Sequence, residues 1–145
     1  RVGGRPRFSE PLGGLLALWG ALYEDDVKAV YTHGGLAGFH DVLSGPYVYV
    51  PHDTIVPGVL LKGDLVDLAA ALAPRPLHLN GLVDGLNRTL PLKDARARCL
   101  PVVQTYQTSR PGRLAITVAP ANAARWVLEA WKGTAKTSPE QAPPQ

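Results

Sequence analysis

The chain has 145 residues, 46% of them apolar and 19% charged, which suits one domain with a real core, or part of a larger one. Its formal charge of +3 is small, and the arginines from Arg5 to Arg125 are scattered without a Lys/Arg run or interleaved aromatics, so no nucleic-acid surface is expected. No apolar run reaches the roughly 18 residues of a membrane span, so no membrane partner is expected either.

Residues 1–12, rich in Gly, Pro and Arg, read as a loop or an incomplete N-terminal segment. "GGLLALWGALY" (13–23) is apolar nearly all round and predicts a buried helix. "VKAVYTH" (27–33), bounded by Asp25-Asp26 and Gly34-Gly35, predicts a strand. Residues 34–62 form a long excursion with little regular structure expected. Asp64 then caps a short helix, "LVDLAAALA", that Pro74 stops.

"RPLHLN" (75–80) is a second strand whose prolines suit its entrance. "LKDARARCLPVVQTYQ" (92–107) reads as one helix interrupted in pattern by Pro101, and "GRLAITVA" (112–119) as a third strand. "NAARWVLEAWKG" (122–133) is a final helix between an Asn122 cap and a Gly133 stop, and the apolar-poor tail, 133–145, is expected to be disordered. Alternating strands and helices imply an α/β fold, a three-layer α/β/α arrangement with a mostly parallel sheet over residues 13–132. Three strands leave much of the sheet edge open.

In open parallel sheets functional groups gather beyond the carboxyl ends of the strands. Those ends carry His33, Gly34 and Gly35, then Gly81 and Asp84, then Pro120 and Asn122. His33, Gly34, Gly35 and His52 are pocket candidates, whereas His78 reads as packing within the sheet or against a covering helix. Asp84-Gly85 fits either a strand-end acid or an ordinary turn. His40-Asp41 and His52-Asp53 lack zinc-ligand spacing, and "THGGL" matches neither dinucleotide nor P-loop spacing, so neither metal nor cofactor is expected. The single cysteine, Cys99, excludes an intramolecular disulfide, reads as a buried apolar residue and leaves the compartment open. A start at Arg1 and the lack of any methionine or signal peptide are expected of a fragment or processed form.

"DLVDLAAALAPRPLHLNGLVD" (64–84) resembles the late part of the α/β-hydrolase fold, in particular its acetyl xylan esterase-like members. "VKAVYTHGGLAGFHDVL" resembles the strand and loop that precede it, and Pro51–Leu60 the linking excursion, so that the likeness spans roughly residues 9–132. The resemblance puts Asp84 in the place of the triad acid, the nucleophile ahead of the first helix and the histidine just after the third strand. At the first of those other places stands "SEPLGG", where Pro11 falls on the nucleophile and Ser9 is the only hydroxyl nearby; at the second, no histidine follows His78. The resemblance therefore implies the C-terminal portion of a hydrolase-like domain related to acetyl esterases, without independent activity as this chain alone. An acetylated carbohydrate or another small ester is the implied ligand class. Self-association, or pairing with an upstream segment of the same protein, would cover the open edges. A degenerate hydrolase fold kept as a binding or structural module, and an unrelated small α/β domain, are the alternatives.

Overall fold

A computed structural model describes residues 10–133; Ser9, most of the N-terminal loop and the tail from 134 lie outside the described residues. Helix α1 (Pro11–Tyr23) begins two residues earlier than the glycine pattern suggests. Pro11 sits in the first turn, where its missing N–H costs nothing and its fixed φ suits the helix, so the loop expected through residue 12 is already helical. Strand β1 (Val30–His33) follows, then a short helix α2 (His40–Leu43) and 3-10 turns at His52–Thr54 and Val59–Leu61.

Helix α3 (Leu65–Ala71) carries the expected Asp64 cap, closed into a reciprocal box by Asp67. The Asp64 carboxylate does more than cap. Its Oδ1 accepts from Leu65 N at 2.6 Å and Phe39 N at 2.5 Å, and its Oδ2 from His40 N at 3.2 Å, which pins the excursion to the helix start. Phe39 and Val50 are buried with Leu15, Leu36 and Leu65 in a second apolar cluster. The excursion is thus irregular in backbone yet packed.

Strand β2 (Leu77–Asn80) is buried along its whole length. The single helix expected over 92–107 is two: α4 (Leu92–Arg98) and α5 (Leu100–Ser109). Proline inside a helix removes a backbone donor and clashes with the carbonyl four residues back, so the chain breaks at Cys99 and Pro101 opens the next helix. Strand β3 (Leu114–Thr117) and helix α6 (Ala123–Trp131) complete the chain, Asn122 Oδ1 accepting from Arg125 N at 2.9 Å. All three strands are shorter than their apolar runs.

The strands lie in the order β1-β2-β3, all parallel, with Val30, Leu77 and Leu114 in register at one end and His33, Asn80 and Thr117 at the other. Helices cover both faces. On one, Val30, Leu77, Leu79 and Ile116 join the main core with Leu18 and Ala21 of α1, Ala69 of α3, and Val102 and Tyr106 of α5. On the other, Tyr31 and His78 meet Trp126 of α6 at ring-centroid distances of 6.1 and 5.1 Å. The result is a small α/β domain built on a three-stranded parallel sheet.

Candidate functional site

The in-register carboxyl end of the sheet sets a polar ladder across all three strands. Asn80, fully buried on the central strand, donates through Nδ2 to Thr117 Oγ1 at 2.6 Å and to the Ala119 carbonyl at 2.8 Å. A carbonyl only accepts, so the amide orientation is determined and Oδ1 is left as the acceptor. It receives His33 Nδ1 at 2.6 Å. The neutral His33 ring then carries its lone pair on Nε2, on a residue that is itself exposed. A base oriented by a buried amide is the arrangement a proton acceptor needs.

His78 lies on the opposite side of Thr117, with Nε2 2.8 Å from Thr117 Oγ1. Its Nδ1 is buried without a partner among the described residues. Burial pushes the imidazole pKa down to about 4. His78 also packs edge-on against Tyr31 and Trp126, as the reading of it as a packing residue anticipated.

Asp84 follows β2 in a tight reversal closed by the Val83–Thr89 bridge. Its Oδ1 accepts from Leu86 N and Arg88 N, both at 2.9 Å, and its Oδ2 from Arg88 Nε at 2.9 Å and Nη2 at 2.7 Å. Four donors fill the four lone-pair sites of a carboxylate. Burial alone would raise this pKa, but the Arg88 side chain and the backbone N–H groups of Arg88 and Leu86 outweigh it and hold the carboxyl below its ordinary value. The adjoining Gly85 is required by close approach: a Cβ there would lie 2.2 Å from the Asp41 carbonyl oxygen. Asp41 in turn forms an ion pair with Arg98 of α4. The Asp84-Gly85 turn is therefore the centre of a structural knot joining the reversal, α2 and α4.

The remaining candidates separate. Gly35 packs against α1, where a Cβ on Gly14 would come within 3.0 Å of the Gly35 Cα; "THGGL" serves helix–loop packing. Gly34 N bonds the Asn80 carbonyl at 2.9 Å, continuing the sheet. His52 is exposed at the start of a 3-10 turn and does not line the cavity below. Pro11, which the resemblance aligned with a nucleophile, is buried. A cavity of about 20 Å³ lies between α1, the end of β1 and α3, lined by Pro11, Gly14, Thr32, Gly35, Ala69 and Leu82 among others. That volume holds about one water, far below the hundreds of Å³ a small-molecule site occupies. Among the described residues no three or more His, Cys, Asp or Glu side chains cluster as metal ligands, and no helix is long and apolar enough to cross a membrane. Cys99 is buried, and burial raises its thiol pKa to about 11 despite the Arg98 charge.

Asn80 and Thr117 were not among the residues singled out from sequence. A polar residue closing an otherwise apolar strand, in "LHLN" and again in "LAIT", was the available signal. No family profile, curated protein or solved structure matches the chain.

Proposed function

We propose that the chain is the later portion of an α/β-hydrolase-like domain related to acetyl esterases, kept as a binding or structural module without ester hydrolysis of its own. The parallel strands lie side by side in chain order, with Asp84 following the central strand and the segment after β3 beside it, an order that agrees with this reading. Asp84 carries the reading. With all four lone-pair sites taken by Arg88 and its own turn, it has none to offer a histidine. The ligand class this lineage suggests is an acetylated carbohydrate or similar small ester.

One observation favours a second reading, an ester hydrolase completed by an upstream segment. His33, oriented through Nδ1 by Asn80, would serve as base to a nucleophile brought in by that segment. Both readings meet one experiment, 4-nitrophenyl acetate turnover by the folded chain against the same chain unfolded, since any exposed imidazole attacks activated esters. The expected result is no excess rate, and none in Asp84→Asn. An excess of at least about tenfold, abolished by both Asp84→Asn and Ser9→Ala, overturns the non-catalytic reading. An excess abolished by His33→Ala but retained in Asp84→Asn selects the second.

A further inference from the structure

The opposite end of the sheet holds a cleft of about 490 Å³, within the range of small-molecule sites. Each of the three turns leading into the strands sends cations to it. Lys28 stands two residues before β1, Arg75 two before β2 and Arg113 one before β3, with Arg110 at the start of that last turn. Because Val30, Leu77 and Leu114 are in register, these turns lie side by side, strand to strand about 4.8 Å apart. Against the four cations the cleft lining holds one carboxylate, Asp25, a surplus of three that equals the formal charge of the whole chain. A field that the sequence spreads thinly is concentrated at one place.

The cations differ in how they are held. Arg75 is anchored: its guanidinium donates to the Ala21 carbonyl, and its own carbonyl accepts from Tyr106 Oη at 2.6 Å. Lys28 Nζ donates to the Asp25 carbonyl at 3.3 Å and lies 3.7 Å from the fully exposed Asp26 carboxylate. The side chains of Arg110 and Arg113 make no ion pair or hydrogen bond with another described residue. One fixed fork beside two uncommitted ones is suited to the several oxygens of a phosphate group, which guanidinium groups grip in pairs. A single carboxylate would leave most of the charge uncompensated.

We propose that this cleft binds a small phosphorylated molecule, a phosphate ester or diphosphate, gripped by Arg75, Arg110 and Arg113 with Lys28 at its rim. The site is independent of the ester-related reading, being at the far end of the strands from Asp84 and His33.

Pyrophosphate is the probe, titrated calorimetrically into the chain at low ionic strength. Saturable one-to-one binding is expected, weakened at least about tenfold in Arg110→Ala/Arg113→Ala, with partial recovery in Arg110→Lys/Arg113→Lys. Arg96→Ala/Arg125→Ala removes the same charge elsewhere and should leave affinity within about twofold. Arg110 is exposed and Arg113 half-buried, and neither side chain bonds another described residue, so their loss leaves the melting temperature nearly unchanged and a binding defect is readable. Absence of saturable binding overturns the proposal, as does equal weakening in the charge-matched control. Equal affinity for citrate overturns the assignment to phosphate, and tighter, steeply salt-dependent binding of a single-stranded oligonucleotide replaces the small ligand by a nucleic acid.

Discussion

The two ends of the same three strands treat polar groups in opposite ways. At the carboxyl end, Asn80, Thr117 and Asp84 spend their hydrogen-bonding capacity within the ladder and on their own turns, and His33 joins them through Nδ1. At the amino end, Arg110 and Arg113 have side chains committed to nothing among the described residues. A buried polar group must be paired because leaving it unpaired costs its full desolvation, so the internal ladder is the mark of structure. An exposed cation carries no such obligation, and a group of them in a cleft is free to meet a ligand.

The largest effect that would test this contrast is at Asn80. Asn80→Leu strips His33 and Thr117 of their shared partner and should destabilise by about 3 kcal/mol in chemical denaturation; a change below about 0.5 kcal/mol would remove the ladder's structural role. Gly85→Ala comes next, at roughly 2 kcal/mol, since its methyl would be driven into the Asp41 backbone. The pH dependence of stability should carry His78. The unfolded chain takes up a proton as pH falls through 6.5, while the folded one resists to about 4, so stability is full above pH 6.5 and declines down to about pH 4. Allowing for solvent screening the decline from this residue is about 1–2 kcal/mol, and His78→Gln should flatten the melting-temperature profile over that window.

Asp84→Asn should cost about 1 kcal/mol, because Arg88 is 70% exposed and gains little from the pair, while the backbone bonds largely survive. The depressed Asp84 pKa places that contribution above the unfolded carboxylate value of 3.8, and it is lost as pH falls below it. The smallest expected effect is Arg110→Ala/Arg113→Ala, within about 0.5 kcal/mol of the parent. A large loss there would place both arginines in the fold's own bonding and erase the contrast between the two ends.

Much of the architecture is local chemistry and could be read from the chain. Asp64 and Asn122 cap helices because their short side chains reach backbone donors, and Val30, Leu77 and Leu79 alternate or run apolar because a parallel strand is covered on both faces. Pro101 disturbed the helical pattern, but one helix was still expected over 92–107, where the chain breaks at Cys99 and restarts as a second helix. The excursion read as having little regular structure, and nothing local in residues 34–62 announces that Asp64 and the buried Phe39 and Val50 hold it down.

For the sites the division is sharper. The sequence by itself placed strands over residues 27–33, 75–80 and 112–119, with His33 and Asn80 ending the first two and Lys28, Arg75 and Arg113 within the first two residues of each. Only the tertiary structure decided what they are to each other. Parallel strands in register turn three distant strand ends into one ladder and three distant turns into one cationic cleft, because alignment across a sheet depends on pairing that no local stretch of chain encodes. The same holds for Asp84: its place after the second strand was legible, and its saturation by Arg88 was decided by the fold of the turn around it.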